Sequence, residues 1–295
     1  MKKYFKLLRV EQWVKNLFVF VPLFFSGNTT NIDLLSKSIF AFIIFSLTAS
    51  VVYILNDYND IEADRKHPEK RRRPLASGAI SKSKAIGILI GLVILDIALV
   101  FVAQAYFHQS LWKFATIIAF YFVMNLAYTF RLKHVPIIDI SIIAIGFVLR
   151  VLSGGYITGI SISQWAILLT FVLALVLAIG KRRGELINAQ VSGKTRKALD
   201  GYNVQFADIA LSISVTLAIV CYLMFTLSPE VQARFHERVF YTVIFVVFAF
   251  LRYLQQTLVY NRTESPTKIV YRDRYIQITL ILWVAAFLIQ IYFKK

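Results

Sequence analysis

The chain has 295 residues, 58% of them hydrophobic, with 25 Phe, 15 Tyr and a formal charge of +17. Apolar runs of about 20 residues recur, and the apolar share exceeds the roughly one half of a soluble domain. The composition therefore excludes a soluble globule and points to a polytopic membrane protein. The single Cys221 has no cysteine to pair with and no neighbours for a metal site, so it says nothing of redox compartment.

In chain order, Lys2, Lys3 and Lys6 precede an apolar run without a small-residue cleavage site, so no signal peptide is expected. Nine spans are predicted, at about 15–27, 33–56, 83–106, 111–131, 136–157, 163–181, 203–227, 237–260 and 274–293. The first is marginal in length and contains Pro22, so it enters at a tilt or broken. With the N-terminus cytoplasmic, one side of this arrangement holds 25 Lys and Arg and the other six; Arg150 and Arg252 fall inside spans. That asymmetry predicts a multi-pass plasma-membrane protein with its polar loops in the cytoplasm. It also accounts for the basic charge without a nucleic-acid partner.

Before the first span stand Gln12, Lys15 and Asn16. They either reach a cavity mouth or form an interfacial anchor with Trp13. The stretch from Asn56 to Gly78 is the densest in charge: N-D-Y-N-D-I-E-A-D-R-K-H-P-E-K-R-R-R-P-L-A-S-G. Asp57, Asp60 and Asp64 are spaced three and four apart, which places them on one helical face. Three such carboxylates repel unless a cation sits among them, and hard oxygen ligands suit Mg²⁺ with substrate phosphates. Lys70, Arg71 and Arg73 would hold the remaining phosphate charge. A solvated loop obeying the positive-inside rule explains the bases, but not the ordered Asp. The stretch reads as a Mg²⁺–diphosphate site.

Between spans four and five, Tyr128, Lys133 and Asp139 form a second group, in which Tyr128 and Lys133 are close enough to address one ligand. The alternative is an interfacial Tyr and a topology charge. Arg150 lies inside span five, where a charge costs about 2.5–3.5 kcal/mol, so it should face a cavity and pair with an anion. Asp139, three turns earlier, shares its face. Arg150 either helps bind a lipid phosphate or pairs with a buried acid such as Asp96. Arg252 in span eight is read the same way. Gly154 and Gly155 favour close helix packing. His67, His108, His134 and His236 show no metal-ligand spacing. Neither a phosphate-binding P-loop nor a G-x-S-x-G elbow occurs.

The motif N-D-x-x-D-x-x-x-D (Asn56, Asp57, Asp60, Asp64) resembles that of the UbiA superfamily of membrane prenyltransferases. The continuation H-P-x-K-R-x-R-P (His67 to Pro74) and the opening L-R-V-E-Q-W-V-K-N (Leu8 to Asn16) are similar to one branch, the decaprenyl-phosphate phosphoribosyltransferases. The resemblance implies an all-α fold in a single transmembrane domain, residues 1–295, with about nine transmembrane helices around a central cavity open to lipid. Polar loops near 57–84 and 181–203 would cap it. The second loop, K-R-R-G-E-L and onward, offers only Glu185 and Asp200 where classical members carry a second Asp-rich motif, and fits the phosphoribosyl branch.

The resemblance also implies the activity: Mg²⁺-dependent transfer of 5-phosphoribose from phosphoribosyl diphosphate to a polyprenyl phosphate in the bilayer. Asp57, Asp60 and Asp64, with Asn56, would hold the metal. Lys70, Arg71 and Arg73 would grip the donor, Tyr128 and Lys133 would match a family Tyr–Lys motif, and Lys181 and Arg182 would close over the 5-phosphate. The rivals are a prenyltransferase acting on an aromatic acceptor and a transporter of an anionic solute, to which Arg150 and Arg252 would suit.

Overall fold

The computed structural model describes residues 2–192, 199–235, 237–261, 269 and 272–292. Part of the second polar loop (193–198), most of the segment 260–274, residue 293 of the last predicted span and His236 lie outside the described residues. Every described element is helical. Eight long helices follow one another: α1 (Ile32–Asn59), α2 (Lys82–Phe107), α3 (Trp112–Phe130), α4 (Ile138–Thr158), α5 (Gln164–Ser192), α6 (Val204–Leu227), α7 (Glu237–Val259) and α8 (Arg274–Tyr292). Of the described helices, α1 to α7 are long and apolar enough to cross a membrane, and α8 holds a shorter apolar stretch, Arg274–Gln290.

Local chemistry sets the helix ends. Asn31, Ser81 and Asn203 cap α1, α2 and α6, each side-chain oxygen accepting a backbone N–H two or three residues into the helix. The helix α7 is a composite of a 3-10 turn, an α-helical middle and a π-helical end at Gln255–Val259.

The first predicted span, 15–27, is not a single crossing helix. It becomes a 3-10 helix, Val10–Phe20, followed by a short α-helix, Val21–Phe25. The run contains Lys15, Asn16 and Pro22, too much polarity and too few residues for a continuous helix in lipid.

The chain forms two compact units. The first is Met1–Lys133 with Leu149–Ser161; the second is His134–Val148 with Ile162–Lys295. In the first, two thirds of the apolar window of α1 is buried, against 17% for α2 and α3. Ile90, Ile94 and Phe101 of α2 lie on the outside, 52%, 63% and 66% exposed. Such a surface is stable only against hydrocarbon. Below the charged stretch, Ile61, Leu75 and Ile80 pack with Leu7, Ile54 and Ala85 in one buried cluster. The stretch is therefore folded against the ends of α1 and α2, not a solvated loop. In the second unit, Ile140, Val176, Ile179, Leu211, Val215, Tyr253 and Ile276 form the core.

Candidate functional site

The helix α1 stops at Asn59, and Asp60 leaves helical geometry with φ −98° and ψ 10°. A short helix, Ile61–Arg65, restarts at once. Backbone bonds Asp60 N–H to Asn56 O (3.0 Å) and Asp64 N–H to Asp60 O (2.8 Å) span the joint. The turn is therefore kept, and Asp57, Asp60 and Asp64 stay on the same side despite the break.

Each of the three carboxylates meets a base. Arg9 donates to Asp57. Arg73 donates through one nitrogen, Nη1, to Asp57 Oδ1 (3.2 Å) and Asp64 Oδ2 (2.6 Å). Lys133 donates to Asp60 Oδ1 (2.7 Å). The Asp57 and Asp64 side chains are nearly enclosed, 2% and 4% exposed, whereas Asp60 is open at 33%. Asn56 accepts a hydrogen bond from Thr129 Oγ1 at 2.5 Å. So the sequence-predicted Asn56, Asp57, Asp60, Asp64, Arg73 and Lys133 are brought together. Two partners escaped the sequence reading: Arg9, which also stacks 4.9 Å over the Tyr53 ring, and Thr129.

These observations test whether the site suits a divalent cation. Among the described residues no three His, Cys, Asp or Glu side chains converge closely enough to make a metal cage alone. Yet one positive nitrogen of Arg73 sits between two carboxylate oxygens, and a third carboxylate lies one turn away. The donors are hard oxygens, so the chemistry fits a magnesium ion that takes the rest of its shell from phosphate. Lys70 is half-buried and Arg71 exposed in the turn Lys70–Arg72. His67 shapes that turn, its Nδ1 accepting from Glu69 N–H at 3.2 Å.

Deeper in the first unit, Arg150 is held differently from the sequence expectation. It donates to Asn16 Oδ1 (2.7 Å) and Tyr121 OH (3.1 Å) and stacks on the rings of Phe45 (4.8 Å) and Tyr121 (5.1 Å). Asp96, offered as its partner, instead accepts from Thr48 Oγ1 (2.7 Å). Asn16 is buried and also donates to Ser46 Oγ (2.9 Å), so it orients Arg150. Lys15 is half-buried beside Arg9 and Arg150. Tyr128 is half-buried one residue before Thr129.

The second unit has its own polar group. Asp139, fully buried, accepts from Arg182 Nε (2.8 Å) and Tyr202 OH (2.7 Å), and Arg182 also donates to Glu185 Oε2 (2.5 Å). Asp139 shares a helix with Arg150 but bonds within the other unit. The Tyr202 hydroxyl accepts the Ile137 N–H (2.6 Å), fixing a β-branched residue at a left-handed φ of 68°. Burial and the bond to Asp139 push the Tyr202 pKa above its ordinary value. Lys181 is exposed and pairs with Glu185 at 3.9 Å. Arg252 pairs with Asp273 at 2.8 Å, and this guanidinium holds the carboxyl below its usual range despite burial. Asp139→Asn is expected to cost about 3 kcal/mol, because it removes the carboxylate charge that the buried Arg182 meets at Nε. Thermal unfolding in detergent reads this directly, and an unchanged transition would show that Asp139 is not what anchors Arg182.

A set of long apolar helices, one of them ending in a packed acid–base cluster, defines a multi-pass helical membrane protein with a charged site at a helix end. The chain belongs to the UbiA prenyltransferase family, which it matches over residues 16–281. It is 34% identical to the decaprenyl-phosphate phosphoribosyltransferase of Mycolicibacterium smegmatis, over 98% of this chain and 92% of that one. It is 32% identical to the enzyme of the same name from Corynebacterium glutamicum, over 97% and 86%. The fold is similar to that of a UbiA homolog from Archaeoglobus fulgidus bound to GPP and Mg²⁺, with a TM-score of 0.68 at 20% identity, covering 98% of this chain and 99% of that one.

Proposed function

We propose that this protein transfers 5-phosphoribose from 5-phosphoribosyl 1-diphosphate to a polyprenyl phosphate. The observation that carries this reading is the identity of about one third, over nearly the whole chain, to relatives named for that activity. Asp57, Asp60 and Asp64 would hold magnesium, with the Asn56 carbonyl oriented by Thr129. When bound, the metal neutralises charge on the departing diphosphate. Arg73, Lys133 and Arg9, displaced from the carboxylates, would then face the phosphate oxygens of the donor, with Lys70 and Arg71 beside them. The C1–O bond to diphosphate breaks and a C1–O bond to the lipid phosphate forms from the opposite face, inverting the anomeric centre. The nucleophile is already anionic, so no general base is required.

The excess of Lys and Arg in the N-terminal segment and in the stretch 57–84 supports placing this site on the cytoplasmic side of the plasma membrane. The prenyltransferase alternative would call for a second acidic motif near residues 181–203. There Glu185 is bonded to Arg182, and Asp200 is exposed.

The test is a transfer assay with purified protein, Mg²⁺, radiolabelled phosphoribosyl diphosphate and a polyprenyl phosphate. Label is expected in the butanol phase, and EDTA should stop its appearance. Turnover only of a polyprenyl diphosphate with an aromatic acceptor would replace the reading by the prenyltransferase one.

A further inference from the structure

The 3-10 geometry of Val10–Phe20 divides that segment into three faces, because side chains three apart line up. Trp13, Asn16 and Val19 form the packed face. Trp13 donates to Ser50 Oγ (3.0 Å), Asn16 to Ser46 Oγ (2.9 Å), and Val19 is fully buried. Val14 and Leu17 lie on the outer face, 44% and 52% exposed. The third face carries Gln12, Lys15 and Phe18, all half-buried, in line with Arg9 at its start.

Lys15 stands out on this face. Among the described residues it makes no ion pair and no hydrogen bond, and the charges nearest to it are the guanidiniums of Arg9 and Arg150. Asp57, the carboxylate that Arg9 meets, is taken by Arg9 and Arg73. Arg150 is clamped between aromatic rings and bonded to Asn16, and Arg9 stacks on Tyr53. Arg150 is thus held by neutral groups and Arg9 by Asp57 and a ring, and a half-buried ammonium is left beside two charges of its own sign. Burial and both arginines lower the Lys15 pKa from 10.5 to about 8. Such a group is costly in an otherwise empty site and favourable once an anion is present.

We infer that Lys15 is the contact for a phosphate monoester, and specifically for the phosphate of the acceptor lipid. The inference rests on the transferase reading above and deepens it. The monoester could also be the 5-phosphate of the donor. The surroundings favour the lipid, because Phe18 follows Lys15 on its own face and Val14 and Leu17 flank it with exposed apolar surface. Arg9 bridges this subsite to Asp57, which places the acceptor phosphate beside the carboxylates that hold the donor's leaving group.

The test uses full-length protein in detergent, with geranylgeranyl monophosphate as the lipid probe and phosphoribosyl diphosphate with Mg²⁺ as the donor. Binding of each is measured by calorimetry in wild type, Lys15→Met and Lys15→Arg, so the result does not depend on turnover. Lys15→Met is expected to weaken the lipid probe by about 10- to 100-fold, the range for a lost hydrogen bond to a charged group, to leave donor affinity unchanged, and not to lower the thermal transition. Lys15→Arg should recover most of the loss. In wild type, lipid affinity should decline above about pH 8 as Lys15 loses its proton; in Lys15→Arg that decline should vanish. Unchanged lipid affinity in Lys15→Met would overturn the assignment. A loss confined to the donor would overturn it in favour of the 5-phosphate. If wild type binds the probe in a Lys15-dependent way but transfers no ribose, the subsite stands and the reaction assignment falls.

Discussion

Asp60→Asn is expected to lower transfer by at least about 100-fold while changing stability by no more than about 1 kcal/mol. Its side chain is one third exposed and its partner Lys133 is at the same open edge, so the pair adds little to folding. Its charge, however, is one of three that would face the metal. Asp57→Asn should behave differently. That carboxylate is 2% exposed and answers two guanidiniums, Arg9 and Arg73. Removing it should abolish transfer and also cost about 3 kcal/mol, because Arg9 loses the carboxylate it pairs with and Arg73 one of its two, at a nearly enclosed position. The pair of variants separates chemistry from architecture. Transfer assays and thermal unfolding in detergent, run on both, read the two effects independently. Asp60→Asn with more than a tenth of wild-type transfer would remove Asp60 from the metal site, and an equal stability loss in both variants would show that burial does not distinguish them.

The same contacts show why an acidic motif at the end of a membrane helix needs so many bases around it. Three carboxylates this close repel strongly in a low-dielectric setting. Arg9, Arg73 and Lys133 neutralise them without filling the place with fixed apolar groups. All three are partly exposed, at 20%, 26% and 18%, so they can turn towards another anion. A metal–diphosphate complex would suit this arrangement, with Asp57, Asp60 and Asp64 free to hold the cation and Arg9, Arg73 and Lys133 free to meet its phosphates.

The motif was legible because Asp spacing at three and four has few uses at a helix end. What could not be read were contacts made across long separations. Arg9 meets Asp57 across 48 residues, and Thr129 meets Asn56 across 73. Arg9 occupies the joint between Lys2–Leu7 and Val10–Phe20 at a left-handed φ of 48°, and no local propensity marks an arginine for that conformation. Arg150 stands out by its cost in a span, but the buried acid expected beside it, Asp96, bonds to Thr48 instead. The helix face it shares with Asp139 says nothing of what packs there, and the neutral side chains of Asn16 and Tyr121 hold it. The first span is broken, as Pro22 and its marginal length suggest, but its 3-10 geometry was hidden for a related reason. A 3-10 segment that turns Asn16 inward is decided by Ser46 and Arg150, not by its own sequence. By contrast, the expectation that the glycines near the end of α4 permit close packing is met at Gly154.

Gly154→Ala should therefore be among the most damaging conservative changes in the chain. A methyl at Gly154 would overlap the backbone carbonyl of Val19. Backbone cannot rotate away as a side chain would, so Val10–Phe20 must shift as a unit. Val19 is one 3-10 turn from Asn16, whose bonds to Ser46 (2.9 Å) and Arg150 (2.7 Å) leave no slack. Overpacking costs about 1–3 kcal/mol, and loosening a buried bond to Arg150 adds about 1.5–3. Gly87 and Gly91 of α2 provide the internal control, since a Cβ there meets nothing within 4 Å. Alanine at either should be neutral or stabilise the helix by up to about 1 kcal/mol. Thermal unfolding of Gly154→Ala, Gly87→Ala and wild type, with binding of a prenyl monophosphate measured on each, decides the matter. A lower transition and weaker binding in Gly154→Ala alone would show that the close approach of residues 19 and 154 sets the position of Lys15. Identical transitions in the two variants would mean that the segment is held by Trp13 and Asn16 without it.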